Sequence, residues 1–332
     1  MKIIIPMAGI GKRMRPHTLS IPKPLLKIAG KSIVERIVKD IAISTGKEID
    51  EVHFIIGNFG EETISKLINI AKSVGAKGFI HYQNDPLGTA HAVFCAADAL
   101  DGEILIAFAD TLFIGRFDIS NTDDAIIWTM EVENPEKYGV VVTDENQFVT
   151  DFIEKPKEFV SNKAIIGIYY FKDGVILKNS ISELIKNTVL NNDEYQLTDA
   201  LKNLKREGFN FKCKKIKEWL DCGGKNEFLY SNKRILETFP LKMDENKYDH
   251  CSFIMPVYIG ENVMLNNCKI GPNVSIDEDS IIENSFIQDS IIGSQNLIKN
   301  SHLLNSMVGN NSAIVGCNGK VNLGDFNTYE NL

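Results

Sequence analysis

Two patterns of apolar and polar residues divide the 332-residue chain. From residue 1 to about 238, short apolar runs alternate with segments in which apolar residues recur every three or four positions. The runs are typical of strands, and the periodic segments are typical of amphipathic helices. The apolar runs predict nine strands, over residues 3–5, 52–56, 79–83, 104–109, 125–132, 139–143, 148–154, 165–171 and 209–216.

Three helices are predicted between the early strands. Ser32 and Glu35 have the spacing of a capping box, and an apolar face with Ile33, Ile37 and Ile41 begins there. A second face covers residues 64–71, and a third helix is predicted over residues 89–99. This alternation predicts an α/β fold with a doubly wound, mainly parallel mixed sheet. Antiparallel strands are expected after residue 125, where the strands lie closer together in the chain.

The second pattern begins near residue 250, where helical periodicity disappears and asparagine, serine and glycine become frequent. Aliphatic residues recur there at gaps of five or six residues, from Ile259 to Ile314. This spacing predicts the hexapeptide repeat of a left-handed parallel β-helix, because each short face places one aliphatic residue inside. We therefore predict an α/β domain over 1–238, a charged linker over 239–250, a β-helix over 251–320 and a C-terminal tail over 321–332.

Charge and composition narrow the range of partners. The net charge of −8 at pH 7 argues against nucleic acid or an anionic membrane as a main partner. No apolar stretch reaches the length of a membrane span, and Pro6 and Gly9 interrupt the N-terminal apolar run. The six cysteines contain no Cys-x-x-Cys pair, which argues against a zinc or redox motif and fits reduced thiols. These features predict a soluble, cytoplasmic protein.

The first predicted strand runs directly into a glycine turn that is followed by basic residues. The turn contains Ala8, Gly9 and Gly11, and Arg13 and Lys23 follow it. Backbone amides that approach a ligand closely, together with several cations, suit a polyphosphate. The turn matches neither the P-loop nor the dinucleotide-binding pattern. Taken alone, it also fits a tight turn with solvated basic residues.

Two acidic residues follow apolar segments that lie far apart in the chain. Asp110 ends the apolar run from Ile104, and Asp221 follows Trp219 and Leu220 and precedes two glycines. In open α/β sheets, ligands bind beyond the carboxyl ends of the strands. Carboxylate oxygens there are ligands that Mg²⁺ prefers, and Mg²⁺ bridges phosphates. Each acid alone also fits a residue that caps or forms a turn.

A further glycine loop precedes the third predicted helix. Gln83 offers a donor and an acceptor, and Gly88 allows the backbone to approach a flat ligand such as a base. Thr89 as a simple helix N-cap explains the loop equally well. His91 lies within the helical pattern and is predicted to be a packed residue.

Polar residues also stand near the ends of two later strands. Glu154 could accept hydrogen bonds from sugar hydroxyls, and Lys155 could neutralise a second phosphate. Gly139 would let a sugar ring approach the backbone. The alternative is a solvated ion pair on an edge strand.

Together these segments resemble the sugar-1-phosphate nucleotidyltransferases, most closely the glucose-1-phosphate thymidylyltransferase-like proteins with a C-terminal left-handed β-helix. The matching segments occur in the order of that family and lie at residues 7–16, 22–25, 86–92, 108–110, 138–141, 152–156, 167–171 and 219–223. The resemblance implies that residues 1–238 form a catalytic domain. It implies small-molecule substrates: a nucleoside triphosphate, with dTTP favoured, and a sugar 1-phosphate, with glucose 1-phosphate favoured.

The resemblance also implies roles for individual residues. It implies that Arg13 and Lys23 are catalytic, that Ala8, Gly9, Gly11, Gln83, Gly88 and Thr89 bind the nucleotide, that Gly139, Glu154 and Lys155 bind the sugar phosphate, and that Asp110 and Asp221 hold Mg²⁺. One departure concerns the first loop. The family reads Ala-Gly-Gly-x-Gly-Thr-Arg, whereas this chain is one residue shorter and has Lys12 in place of threonine.

Three other functions stay open at this point. Uracil differs from thymine by one methyl group, so a UTP-dependent uridylyltransferase is the nearest alternative. A β-helix acyltransferase would need a histidine base in the coils, where His302 stands. A non-catalytic regulatory homologue would be expected to lack the cationic and acidic residues described above. The flat faces and the open end of the β-helix predict a homo-oligomer.

Overall fold

A computed structural model describes residues 1–187, 194–240, 244, 247–248 and 250–331. The strands up to residue 238 are β1 (Lys2–Pro6), β2 (Lys27–Ile28), β3 (Lys31–Ser32), β4 (Glu51–Ile56), β5 (Lys77–Tyr82), β6 (Ile104–Ala107), β7 (Thr111–Ile114), β8 (Ala125–Glu131), β9 (Gly139–Thr143), β10 (Val149–Glu154), β11 (Lys163–Phe171), β12 (Lys212–Lys215) and β13 (Glu218–Asp221). The α-helices are α1 (Ile33–Thr45), α2 (Glu61–Lys72), α3 (Thr89–Phe94), α4 (Gly174–Asn187), α5 (Leu197–Arg206) and α6 (Lys225–Thr238).

The chain divides into two compact units. The first unit contains Met1–Gly9 and Glu35–Trp219, and the second contains Ile10–Val34 and Leu220–Leu332. The predicted domain boundary at residue 238 coincides with the end of α6. The compact units instead divide the chain after residues 9, 34 and 219. The segment that carries Arg13 and Lys23 therefore belongs to the unit that contains the C-terminal region.

A nine-stranded mixed sheet organises the first unit. Its strand order is β10-β9-β11-β6-β1-β4-β5, and β8 pairs with both β11 and β12. Strand β1 pairs in parallel with β4 and β6, whereas β11 is antiparallel to β6, β8 and β9. The predicted mixed sheet with antiparallel strands after residue 125 is confirmed. Ile3, Ile4 and Ile5 of β1 are fully buried, as expected for a central parallel strand covered on both faces.

Some elements of the first unit differ from the prediction. The predicted helix over 89–99 ends at Phe94, and a short 3-10 turn, Ala97–Ala99, follows it. Helices α4 and α5 and strand β7 were not predicted. Helix α5 buries Leu197, Leu201 and Leu204. These leucines have helical spacing, so the signal for α5 was present in the sequence.

The C-terminal region of the second unit is a left-handed β-helix with three five-stranded parallel sheets. Its strands are β14 (Ser252–Phe253), β15 (Val257–Ile259), β16 (Met264–Asn266), β17 (Lys269–Ile270), β18 (Val274–Ile276), β19 (Ile281–Glu283), β20 (Phe286–Gln288), β21 (Ile291–Ile292), β22 (Leu297–Lys299), β23 (His302–Leu304), β24 (Met307–Val308), β25 (Ala313–Val315), β26 (Asn318–Gly319), β27 (Asn322–Leu323) and β28 (Thr328–Glu330). Ile282, Ile298 and Ile314 stack in register on successive coils and are fully buried. The predicted β-helix is confirmed.

Asparagine is frequent in this region because it occupies the corners of the coils. Asn267, Asn284 and Asn300 have φ values of 52°, 49° and 50°, in the left-handed region that asparagine tolerates. The side-chain amide of Asn267 donates to Asn284 Oδ1 at 2.9 Å, and that of Asn284 donates to Asn300 Oδ1 at 3.2 Å. One residue type therefore serves both the turn and the contact between coils.

The segment predicted as a tail, 321–332, contains β27 and β28, which pair in parallel with β24 and β25. The coil stack therefore extends beyond residue 320. The aliphatic pattern fades there because all three residues of β28 are exposed. Half of the predicted linker, 239–250, lies outside the described residues. Among the described helices, none has the length and apolar character needed to cross a membrane.

Replacement of Ile282 by alanine tests the core of the β-helix. We expect Ile282→Ala to lower the free energy of unfolding by about 2–5 kcal/mol, because it leaves a cavity between stacked coils. Met264→Ala is the matched control, because Met264 is 58% exposed on the neighbouring coil. Chemical denaturation followed by circular dichroism measures both variants. Equal effects of the two substitutions would contradict this packing.

The buried acid Asp277 makes the stability of the second unit depend on pH. Asp277 is 4% exposed, and burial raises its pKa from 3.8 to about 7, although the charge of Lys27 opposes the shift. The folded state therefore holds this proton more tightly than the unfolded state. The resulting stabilisation is complete below about pH 4 and is lost as the pH rises through about 7.

We expect Asp277→Asn to weaken this decline, so that its stability relative to the wild type increases from about pH 5 to about pH 8. Urea denaturation at the two pH values measures the difference. A constant difference between the variant and the wild type would show that Asp277 does not titrate in this range.

Candidate functional site

The predicted site residues fall in both units. In the first unit, Ala8 and Gly9 follow the carboxyl end of β1. Asp110 lies three residues beyond Ala107, which ends β6, the parallel neighbour of β1. The amide of Ala109 donates to Pro6 O at 3.4 Å, so the two strand ends lie side by side. Asp110 is half-buried. The structure thus places Asp110 at the carboxyl edge of the parallel strands, where ligands bind in such sheets.

Gln83 and Gly88 come together in the loop between β5 and α3. The Gln83 side-chain amide donates to Gly88 O and to His91 Nδ1, both at 3.2 Å. His91 is half-buried in α3. These contacts hold the predicted base-binding loop in one conformation.

Thr89 does not cap its own helix. The N-cap of α3 is Gly88, with no side-chain capping hydrogen bond. The Thr89 hydroxyl instead accepts the amide of Leu197 at 2.8 Å and donates to Gln196 Oε1 at 3.1 Å. The alternative of a simple N-cap is therefore wrong, because this hydroxyl serves the start of α5.

Gly139 and Glu154 lie opposite each other on the antiparallel strands β9 and β10. The Thr198 hydroxyl donates to Glu154 Oε2 at 3.2 Å. A Cβ atom at Gly139 would lie 2.9 Å from the same oxygen, so the glycine leaves room for the carboxylate in this position. Lys155 is exposed, and its amide donates to Tyr138 O at 3.1 Å. The structure therefore brings together the three residues predicted to bind a sugar phosphate.

The start of α5 joins these two parts of the first unit. Tyr195 O accepts the amide of Ala90 at 2.9 Å, Leu197 contacts Thr89, and Thr198 holds Glu154. This segment was missing from the sequence-based site because α5 itself was not predicted.

Burial and the charge of Glu154 raise the pKa of Tyr169, so its phenol stays protonated.

In the second unit, Gly11, Arg13 and Lys23 lie in one short segment. Arg13 is exposed in a helical turn, Lys12–Met14, whereas Lys23 is 8% exposed. The Thr18 hydroxyl and the Met14 amide both donate to Gly11 O, each at 2.9 Å. The Lys23 side chain packs against Gly11. Both predicted catalytic cations therefore flank the glycine turn.

Asp221 lies near Arg13 in the same unit. Asp221 Oδ1 accepts the amide of Gly223 at 2.7 Å, and its carbonyl accepts the Ser231 hydroxyl of α6 at 3.1 Å. A Cβ atom at Gly223 would lie 2.8 Å from Asp221 Oδ1 and 3.0 Å from Arg13 Nη2. The guanidinium group and the carboxylate therefore both lie against Gly223.

The His, Cys, Asp and Glu side chains decide which kind of metal site the protein can form. Within the described ranges, no group of three or more His, Cys, Asp or Glu residues could hold a metal ion. A fully protein-bound structural metal therefore does not fit these residues. A substrate-bound Mg²⁺ needs only one or two carboxylates, because phosphates and water supply its other ligands. Asp110 and Asp221 each present a carboxylate of the type that such a site uses.

The family model described as nucleotidyl transferase matches residues 2–238. The chain belongs to the nucleotidyl transferase family. This match covers both segments of the first unit, and it also includes residues 10–34 and 220–238 of the second unit. All the site residues described above fall within it.

Two named relatives show how far the similarity extends. The low-salt glycan biosynthesis nucleotidyltransferase Agl11 of Haloferax volcanii is 28% identical over 95% of this chain and 94% of that protein. The bifunctional protein GlmU of Methanocaldococcus jannaschii is 33% identical over 71% of this chain, but only 55% of its own length is covered. The match to Agl11 therefore includes the β-helix region, whereas this chain spans about half of GlmU.

Solved structures share the fold at lower sequence identity. A UDP-glucose pyrophosphorylase complexed with UDP-glucose has a TM-score of 0.60 and 23% identity, and the similarity covers 71% of this chain and 98% of that one. A Bacillus anthracis protein assigned as a glucose-1-phosphate thymidylyltransferase has a TM-score of 0.59 and 20% identity, covering 74% and 97% of the two chains. These similarities support the α/β fold described above.

The Thr198 contact gives a test of the Glu154 site. We expect Thr198→Val to raise the KM for a sugar 1-phosphate roughly five- to tenfold, because Glu154 loses the hydroxyl that orients it. Thr198→Ser keeps the hydroxyl and is expected to behave like the wild type. Steady-state kinetics with each substrate varied in turn measures the effect. A change confined to the KM for the nucleotide would contradict the prediction that Glu154 binds the sugar phosphate.

Proposed function

We propose that this protein transfers a nucleotidyl group from a nucleoside triphosphate to a sugar 1-phosphate and releases pyrophosphate, with dTTP and glucose 1-phosphate as the favoured pair. The observation that carries this proposal is the family match over residues 2–238, which contains every predicted site residue. The relative that matches almost the whole chain is named as a nucleotidyltransferase of glycan biosynthesis. That name supports a nucleotide sugar as the product.

The proposed reaction is an in-line displacement. An oxygen of the sugar phosphate attacks the α-phosphorus of the triphosphate, and the bond to the β-phosphate oxygen breaks as pyrophosphate leaves with the bonding electrons. A phosphate dianion is already a nucleophile, so no general base is needed. Catalysis then depends mainly on positioning and on neutralising the charge of the phosphates.

Residues of both units are proposed to bind the triphosphate. Arg13 and Lys23 are proposed to stabilise the phosphates and the leaving pyrophosphate, together with amides of Ala8, Gly9 and Gly11. Asp110 and Asp221 would hold Mg²⁺, which neutralises phosphate charge when it is bound. The position of Arg13 and Asp221 against Gly223 supports these roles, because a cation and a carboxylate are presented at the same point of the chain.

The remaining predicted residues are proposed to select the base and the sugar. Gln83, Gly88 and Thr89 lie in the loop held by His91 and α5, which suits recognition of a planar base. Gly139, Glu154 and Lys155 are proposed to bind the sugar phosphate. The hydrogen bond from Thr198 fixes Glu154 before any substrate binds, which supports a role in orientation.

The base pocket has to distinguish dTTP from UTP. A single methyl group distinguishes thymine from uracil, and a pocket discriminates such a difference by about 1–3 kcal/mol. A structural neighbour is a UDP-glucose pyrophosphorylase, but at 23% identity it supports only the fold. UTP-dependent transfer is therefore the second candidate. Self-association through the β-helix likewise stays a prediction.

Acyl transfer by the β-helix has less support. The ring of His302 packs against Phe286, with centroids 4.5 Å apart. Its Nε2 atom is buried and has no hydrogen-bond partner among the described residues. A packed coil position explains this histidine without a catalytic role.

Pyrophosphate release from a grid of nucleotides and sugar 1-phosphates, with and without Mg²⁺, tests the proposal. We expect Mg²⁺-dependent turnover that is fastest with dTTP and glucose 1-phosphate. Asp110→Asn and Asp221→Asn should each abolish it while circular dichroism stays unchanged. Glu145→Gln is the matched control, because Glu145 is exposed in the turn between β9 and β10.

Absence of turnover with every pair would refute the proposed function. Full activity of either asparagine variant would remove that residue from the metal site. Faster turnover with UTP than with dTTP would replace the favoured nucleotide with the second candidate.

A further inference from the structure

Residues 10–34, here called the loop segment, belong to the same compact unit as the β-helix. The loop segment contains only short helical turns, the two-residue strands β2 and β3, and the first two residues of α1. Such a segment has little core of its own, so its conformation depends on what it packs against. Two groups of contacts attach it to other parts of the second unit.

The first attachment joins residues 16–20 to the end of the β-helix. His17 Nε2 donates to Asn322 Oδ1 at 2.9 Å, and the Ser20 hydroxyl donates to Asp325 Oδ2 at 2.6 Å. Pro16 packs against Gly324 between these two hydrogen bonds. The last coils of the β-helix therefore hold the chain just after Arg13.

The second attachment joins the β2–β3 hairpin to α6 and to an earlier coil. Lys27 Nζ donates to both carboxylate oxygens of Glu278, at 2.6 and 2.7 Å. The Ala29 amide donates to Asn232 Oδ1 at 3.2 Å. The same oxygen accepts the Ser275 hydroxyl at 2.6 Å. The chain is thus also held just after Lys23.

Backbone and side-chain hydrogen bonds connect His17 and Thr18 to the glycine turn. The amide of His17 donates to Met14 O at 3.0 Å, and the amide of Met14 donates to Gly11 O at 2.9 Å. The hydroxyl of Thr18, which adjoins His17, donates to the same carbonyl at 2.9 Å. Arg13 lies inside this set of turns. A change in the position of His17 must therefore displace the turn that carries Arg13.

His17 is suited to a structural contact of this kind. It is 3% exposed, and burial lowers its pKa, so the imidazole is neutral near pH 7. Because Asn322 presents an acceptor oxygen, the neutral ring carries its proton on Nε2. Loss of the acceptor would leave a donor in a largely buried site, which favours a different position of the ring.

We infer that Asn322 is a positioning residue of the nucleotide site, which acts through His17 to keep the loop segment in the conformation that binds a triphosphate. This inference rests on the proposed function. Asn322 belongs to β27, beyond the region that the family model matches. The end of the β-helix thus takes part in nucleotide binding without touching the nucleotide.

The expected consequence is a loss of apparent affinity for the nucleotide. If a ligand binds only the ordered loop, its apparent affinity is the intrinsic affinity multiplied by the fraction of molecules in which the loop is ordered. Loss of one hydrogen bond to a buried donor should raise the KM for the nucleotide roughly five- to tenfold. The KM for the sugar phosphate should stay unchanged, because its residues belong to the first unit.

The test compares Asn322→Leu with two further variants of the full-length chain. Asn322→Asp retains an acceptor oxygen, so its nucleotide KM and the exchange protection of its residues 11–19 should match those of the wild type. Asn318→Leu is the matched control, because Asn318 is exposed on the preceding strand β26. Steady-state kinetics measures both KM values. Amide hydrogen exchange followed by mass spectrometry measures the protection of residues 11–19 without any substrate.

We expect faster exchange in residues 11–19 and a raised nucleotide KM only in Asn322→Leu. Unchanged exchange in this variant, or faster exchange without a change in the nucleotide KM, overturns the inference. A rise in both KM values would also contradict it. If the wild type turns over no substrate pair, the proposed function fails and the inference with it. An active wild type with an unaffected Asn322→Leu variant contradicts the inference alone.

Discussion

The attachment of the loop segment to the β-helix is the constraint on which the proposed nucleotide site depends. The loop is proposed to present cations and backbone amides to a highly charged ligand. Lys23 is 8% exposed, and Arg13 remains exposed. Contacts on both sides of these residues, at His17 and at Lys27, stabilise a conformation that the loop alone would hold weakly. In this proposal the coil stack supports the catalytic residues of the loop segment.

In the first unit, the sheet and the start of α5 position the candidate residues. Its sheet supplies a rigid edge, and Asp110 lies where parallel strands end. The loop of Gln83 and the strands of Glu154 are then fixed by one further element, the start of α5, through Thr89 and Thr198. A single helix end thus orients residues proposed for two different substrates. Such shared support favours correct geometry at both sites together.

The sequence was sufficient for the fold class because both hydrophobic periods are strong. Buried parallel strands such as β1 read as continuous apolar runs, and the five- or six-residue repeat predicted the β-helix. The sequence also supplied the candidate residues, because motifs place them at strand ends and glycine turns, and their roles stay predictions.

Contacts between distant segments could not be predicted in the same way. Thr198 contacts Glu154 across 44 positions, and Asn322 contacts His17 across 305 positions. Both partners are polar residues of ordinary type, and no local pattern marks them. The extent of the coil stack was missed for a related reason, since β28 pairs through its backbone while its side chains are exposed. Supporting residues therefore emerged only from the three-dimensional structure.

The most direct test of this account is a crystal structure of the full-length protein with a nucleoside triphosphate and Mg²⁺. We predict that the phosphates lie within hydrogen-bonding distance of Arg13 and Lys23, that the base lies against Gln83 and Gly88, and that the His17–Asn322 contact is retained. A nucleotide bound at the coils of the β-helix, or bound at the loop segment with the His17–Asn322 contact broken, would contradict it.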